Sequence, residues 1–327
     1  MEIPTATPKR RSRMSRTNSG KRLELSARDI EIFKLLQRFR YLRSTFLYAF
    51  VGGKNETRFK ERLGALFHDG RYINRPKEQW QFAGARYAPA VYELDRVGEA
   101  VLAELGIQGQ RATSPSTTHH QFAHTLMIAE TLASIELGVR AAGNVRFITF
   151  GEIIANAPET AQKGCNPLAL PVSITHTFQR DRSESAVFSL IPDALFGLAY
   201  TEPDGAKSYR FFALEAEREN RVSASSLKQT SFLKKVLAYR DIAGRETYRT
   251  QLGIPNLVVL VVTGSAARIE TMKKVVMEVT AGKGSGMFLF RPLPGHADPF
   301  KPASPAAVLF SGPWMRSGHP DFYINKP

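Results

Sequence analysis

Ile191-Pro192-Asp193-Ala194, then Phe211-Phe212-Ala213-Leu214-Glu215-Ala216-Glu217, then Lys234-Lys235 shortly before Tyr239: the reading of these three pieces decides the fold. Two apolar runs each deliver carboxylates, and a basic amphipathic run follows. Glu215 and Glu217 are two apart in a run that reads as a strand, so they share one face. Lys235 and Tyr239 are four apart in a run that reads as a helix, so they share one face as well. Acids on neighbouring strands with a lysine nearby suit a hard divalent cation, which prefers oxygen ligands.

Working outward, His119 to Ala142 reads as a long helix and Val145 to Phe150 as a strand. Gly151 to Ser185 is long and irregular, rich in Pro, Asn and Thr. Val187 to Leu198 reads as one strand containing Asp193, and Tyr209 to Glu217 as the next. Ser226 to Arg245 reads as a helix, and Asn256 to Thr263 is aliphatic enough for a strand buried on both faces. A helix from Arg268 to Ala281 and a strand from Met287 to Arg291 follow. This order predicts an α/β (α+β) domain of αβββαβ arrangement over residues 119–291, with a Pro/Gly-rich tail over 292–327 wrapping its surface.

The N-terminal third reads differently. Ser26-Ala27-Arg28-Asp29 is a helix N-cap with an acid at the third position, and Ile30, Phe33, Leu36 and Phe39 recur at helical spacing. Ser44 to Phe50 fits a second helix, broken by Gly52-Gly53, and Asn55 caps a third from Glu56 to His68. Tyr72 to Arg75 and Tyr87 to Leu94 read as paired strands across a polar turn, and a last helix runs to Leu105. Three helices followed by a hairpin predict a winged helix over 23–106, whose third helix enters the major groove of DNA. Asn55, Thr57, Arg58, Lys60 and Arg62 on that helix, and Arg75, Lys77 and Arg86 in the wing, are residue types that contact phosphates and base edges. Serving as a protein-interaction module is the other use open to this fold. A polar linker at 107–118 separates it from the second domain.

Charge points the same way. The 327 residues hold 45 Lys and Arg against 30 Asp and Glu, for a formal charge of +15. That balance predicts a polyanionic partner, either nucleic acid or an anionic membrane. Residues 1–22 carry Lys9, Arg10, Arg11, Arg13, Arg16, Lys21 and Arg22 against Glu2 alone, and read as a disordered phosphate-coating or solubilising tail. No apolar run approaches the ~18 residues that span a bilayer. The single cysteine, Cys165, precludes an internal disulfide, so a cytoplasmic location without membrane insertion is expected.

The acid pattern resembles the PD-(D/E)xK nuclease superfamily, with Asp193 and Glu215 as Mg2+ or Mn2+ ligands. That superfamily has a lysine two residues after the second acid; Glu217 stands here instead, and Lys235 on the following helix would supply the ammonium. Lys235 with Tyr239 is similar to a variant Q-x-x-x-Y element, with Lys234 and Lys228 as competing choices and Glu130 as an additional acid. A resemblance over nearly the whole chain is to the replication-relaxation family of mobile elements. It is carried by Leu25-Ser26-Ala27-Arg28-Asp29-Ile30, His119-His120, Pro192-Asp193 and Leu214-Glu215-Ala216-Glu217-Arg218. That family is similar to MobC-type relaxases, which implies double-stranded DNA and other mobilisation or replication proteins as partners, with a homodimer open to the chain. It also implies single-strand nicking at an origin with Mg2+ or Mn2+ held by Asp193, Glu215 and Glu217, and with Lys235 and Tyr239 completing the catalytic set.

Two blander readings stay open. The acids could be strand-end groups paired with Arg210 and Arg218, leaving a non-enzymatic transfer factor or regulator with a degenerate nuclease-like domain. His120 and His124 share a helix face but lack a third zinc ligand at the right spacing, which leaves helix capping or DNA contact. Gly282-Lys283-Gly284-Ser285-Gly286 resembles a phosphate loop in composition only, since it precedes a strand.

Overall fold

The computed structural model describes residues 11–17, 20–81, 84–107, 119–164, 166–178, 181–218, 221–293, 295 and 304–327. Cys165, Arg10 and all but one residue of the 107–118 linker lie outside these, as do the side chains of His119 and His120. The chain divides into two compact units, Met1–Gly109 and Gln110–Pro327, both mixing helix and sheet.

The first unit contains α1 (Ala27–Phe39), β1 (Leu42–Arg43), α2 (Ser44–Val51), α3 (Glu56–His68), β2 (Ile73–Asn74), β3 (Val91–Leu94) and α4 (Arg96–Glu104). The strands make an antiparallel sheet of order β1-β3-β2. They are much shorter than the sequence suggests, and a 3-10 turn over Lys77–Gln81 occupies part of the polar segment. Ser26 and Asp29 complete a capping box on α1, and Asn55 Oδ1 accepts the Arg58 N–H at 3.0 Å to cap α3. Phe33, Phe46, Leu63, Leu66 and Leu102 fill the core.

Arg11 to Thr17 do not form a free tail. The Arg11 guanidinium pairs with Asp69 at 2.8 Å, and Arg13 donates to the carbonyls of Arg86 and Ala88. Arg16 pairs with Asp95 at 2.5 Å. Basic composition alone suggests solvation, but here each cation finds an acid or a carbonyl on the neighbouring fold.

The second unit begins with α5 (His119–Ala142), then β4 (Val145–Ile148), α6 (Phe150–Ala155), α7 (Glu159–Gln162), β5 (Leu170–Phe178), β6 (Arg182–Leu190), β7 (Ala194–Thr201) and β8 (Lys207–Ala216). It continues with α8 (Phe232–Gly244), α9 (Thr247–Leu252), β9 (Val258–Thr263), α10 (Ala266–Val279), β10 (Ser285–Pro292), α11 (Val308–Ser311), β11 (Pro313–Ser317) and β12 (Phe322–Tyr323). A seven-stranded mixed sheet has the order β12-β11-β10-β9-β8-β7-β4. β8 and β10 flank β9 in parallel, and β9 is the aliphatic run, buried as its composition requires. α8 and α10 cover one face through Val236, Tyr239, Ile242, Ile269, Met272 and Val276.

Three expectations are corrected here. The span 151–185 holds two short helices and most of a separate two-stranded hairpin, β5–β6, paired over nine residues. Val187 to Leu198 is two strands in two sheets: the chain leaves β6 at Leu190, turns through Ile191-Pro192-Asp193 and enters β7 at Ala194. Pro192 has no N–H for a ladder, which fits a break there. The 292–327 segment is no surface wrapping, because β11 and β12 extend the main sheet and Trp314 and Ile324 are fully buried. The Gly-rich run serves the turn into β10: at Gly284 (φ +71°) a Cβ would lie 2.1 Å from the Ser317 carbonyl oxygen.

Within α5, Phe122–Ala142 is long and apolar enough to cross a membrane, contrary to the reading of the bare sequence, yet 89% of its most apolar window is buried inside the protein. It is the core helix of this unit, packed on β4, β8 and α11.

Candidate functional site

Sheet direction assembles the acids. β7 and β8 are antiparallel, so the start of β7 lies beside the end of β8, and Ala194 pairs with Leu214. Asp193 therefore stands next to Glu215, and its N–H donates to the Leu214 carbonyl at 3.1 Å. On β8 the odd positions Phe211 and Ala213 face the α8 side, and Glu215 continues that face. Glu217 follows, its N–H held by the Val262 carbonyl at 2.8 Å. The site thus sits at the carboxyl ends of the parallel strands β8 and β9, where open α/β sheets place their ligands.

α8 supplies the partners. Ser231 caps it, accepting the Lys234 N–H at 3.2 Å, so it starts later than the sequence suggests and Lys228 lies outside it. Lys235 Nζ donates to Glu215 Oε2 and to Glu217 Oε1, the latter at 2.6 Å. One turn on, the Tyr239 hydroxyl donates to Glu215 Oε1 at 2.6 Å. Lys234 faces elsewhere, its ammonium 4.5 Å from the Phe188 ring centre. Two members were not foreseen. Arg268 in the first turn of α10 reaches Glu217 Oε2 at 3.8 Å. His124 Nε2 meets Asp193 Oδ2 at 3.2 Å, and that oxygen also accepts the Ala216 N–H at 2.8 Å. Arg210, the suggested counter-ion, instead donates to the Lys326 carbonyl and stacks on Phe322. Glu130 is fully buried on α5.

Burial governs the electrostatics. Glu215 and Glu217 are 1% and 0% exposed, while the side chains of Asp193 and Lys235 keep 18% and 19%. Burial drives the Glu215 carboxyl up, Lys235 and the Tyr239 hydrogen bond pull it back, and it settles at about 7. For Asp193 burial is outweighed by the His124 hydrogen bond and the Lys235 charge, so its carboxyl lies below its usual value. Burial lowers Lys235, but three surrounding carboxylates outweigh it and hold the ammonium well above its normal range. Burial and the Glu215 charge push the Tyr239 phenol well up, so it remains a hydrogen-bond donor.

His124 is likewise raised: burial opposes its charge, and Asp193 more than compensates. A histidine raised above 6.5 contributes stability that is full below that value and fades as pH rises through the folded one. In an NMR titration His124 should titrate above 6.5, and Asp193→Asn should return it to or below that value. A His124 titration unmoved by Asp193→Asn would contradict the pairing.

The carboxylates converge, but on an ammonium. Both Glu215 oxygens and both Glu217 oxygens have a lysine, tyrosine or arginine partner, and Asp193 Oδ2 is shared by two groups. Among the described residues no group of three or more His, Cys, Asp or Glu is placed to hold a metal ion. In this arrangement the residues do not fit Mg2+ or Mn2+.

In the first unit, Asn55, Thr57, Arg58 and Lys60 are exposed on the opening turns of α3, with Lys60 paired to Glu56 at 2.7 Å. Lys77 and Arg86 are exposed too. Arg62 and Arg75 are not free for a ligand. Arg62 holds both oxygens of the buried Asp29 at 3.0 and 2.6 Å, and Arg75 lies against Phe67 and donates to the Tyr92 hydroxyl at 2.9 Å. A groove of about 910 Å³ beside α3 is lined by Arg11, Arg13, Lys21, Thr57 and Lys60.

The replication-relaxation family profile matches residues 33–257, more than half of the chain. The chain belongs to the replication-relaxation family. The family points to a role in the replication or mobilisation of mobile elements. No curated protein and no solved structure matches the chain.

Proposed function

We propose that the chain is a DNA-binding protein of a plasmid or integrative element, acting in its replication or mobilisation. The first unit is a winged helix that docks duplex DNA with the start of α3. The observation that carries this is the exposed polar run Asn55, Thr57, Arg58 and Lys60 at the capped start of α3, beside a groove whose lining includes Lys21 and Lys60 together with Glu61 and Asp69. The element order α1-β1-α2-α3-β2-β3-α4 and the charge of +15 support the same reading. The test is duplex binding at several salt concentrations. Arg58→Ala with Lys60→Ala should weaken binding and reduce the salt slope by about 1 per lost phosphate contact. Affinity unchanged by the double substitution, or insensitive to salt, would overturn it.

A second reading is a relaxase that nicks one strand through a PD-(D/E)xK-like site of the MobC type. One observation favours it: Asp193, Glu215, Glu217, Lys235 and Tyr239, dispersed in sequence, form a single connected cluster. Conversion of supercoiled origin plasmid to open circles by wild type and not by Asp193→Asn would support it. Origin binding without nicking in any divalent metal leaves the binding reading alone.

A further inference from the structure

The acids of the second unit lie deep in the protein and yet keep their charge partners within it. Lys235 Nζ stands between Glu215 Oε2 and Glu217 Oε1, bonded to both at once. That is the position a bridging metal ion would take, since a dication also sits within bonding distance of one oxygen from each acid. The remaining oxygens are turned to other donors: Tyr239 holds Glu215 Oε1, and Arg268 faces Glu217 Oε2. Around Asp193, Glu215 and Glu217 stand the cationic side chains of Lys235 and Arg268 and the imidazole of His124.

We infer that Lys235 is a tethered cation occupying the ion position of this cluster, so that the wild-type site excludes divalent metal and a metal site appears only when the ammonium is removed. The argument is electrostatic and steric. A dication added to the cluster would face an ammonium a few ångströms away in a water-poor interior, where like charges repel strongly. It would also find each carboxylate oxygen of Glu215 and Glu217 already facing a hydrogen-bond donor or a cation. Replacing Lys235 by a neutral side chain of similar length reverses both conditions. It removes the lysine hydrogen bond from one oxygen on each glutamate, takes one positive charge out of the cluster, and opens space at the partly exposed edge where Asp193 and Lys235 reach solvent. Lys235 is thereby assigned an ion-specificity role that does not rest on the DNA-binding reading and stands against metal-dependent nicking at this cluster.

The experiment uses the full chain and Mn2+ alone as the probe, with free Mn2+ followed by its electron paramagnetic resonance signal at neutral pH. Wild type and Glu217→Gln should give the same curve of free against total Mn2+. Lys235→Met should take up a single Mn2+ ion at least about tenfold more tightly than wild type, and Lys235→Met with Glu217→Gln should lose that uptake. Mn2+ should also raise the thermal midpoint of Lys235→Met and leave that of wild type unchanged. Uptake by wild type that Glu217→Gln abolishes would overturn the proposal, as would a folded Lys235→Met that binds no more than wild type. If Lys235→Met folds only when Mn2+ is supplied, the proposal is supported; if it folds in neither condition, the wild-type comparison decides.

Discussion

Trp314→Ala should destabilise the second unit by about 3–5 kcal/mol, the usual loss when a large buried aromatic is truncated and its cavity stays open. Trp314 is fully buried on β11, and its indole N–H donates to the Leu309 carbonyl at 3.0 Å. Truncation therefore removes packing between the last strands and β10, and orphans a carbonyl at α11. The measurement is the unfolding transition of the second unit by circular dichroism, in thermal or denaturant titration. A loss below about 1 kcal/mol would show that the C-terminal strands decorate the sheet without stabilising it.

Lys235→Ala should be as costly, about 3–5 kcal/mol in the absence of divalent metal, because removing one partner of a buried ion pair leaves uncompensated charge. Two carboxylates exposed by no more than 1% lose their shared ammonium. Glu215 already sits at about 7, above the 4.5 of an ordinary glutamate, so its ionised form is the strained one. A raised carboxyl contributes stability that is present below its unfolded value and lost as pH rises through its folded one. Without Lys235 that folded value climbs further, and the deficit of the variant against wild type should widen from mildly acidic to alkaline pH. Adding Glu217→Gln to Lys235→Ala should cost less than the sum of the two single changes, because the pair no longer needs neutralising. Additive losses in that double-mutant cycle would show that the three groups do not act together.

Much of this molecule was legible because its signals are local. The capping box at Ser26 and Asp29, the Asn55 cap and the helical spacing of apolar residues mark α1 and α3 within a few residues. The aliphatic run ending at Thr263 marks β9 for the same reason. The gathering of Glu215, Glu217, Lys235 and Tyr239 follows from two periodicities, two residues on a strand and four on a helix. What was hidden depends on partners far along the chain. β11 and β12 are short and Pro-flanked, and they exist because the edge of β10 is there to pair with. The β5 segment does alternate from Leu170 through Val172 to Ile174, yet its Pro171 and the loop-like residues before it mask the pattern. Arg62 and Arg75 show the limit of residue type. Arginines beside a recognition-like helix suggest nucleic acid, but here they are consumed by Asp29 and by Phe67 and Tyr92. His124 and Arg268 come from helices remote in sequence, and no spacing rule links them to Asp193 or Glu217.

The seating of β8 between β7 and β9 has a mechanical consequence for the cluster. Its backbone is paired on both sides, antiparallel to one neighbour and parallel to the other, so Glu215 is carried by an interior strand of the sheet. Lys235 and Tyr239 ride instead on α8, held by side-chain packing and a serine cap. Lys235 and Tyr239 share one rigid-body support and Glu215 another, so a shift or twist of α8 against β8 would break the bonds of both side chains together.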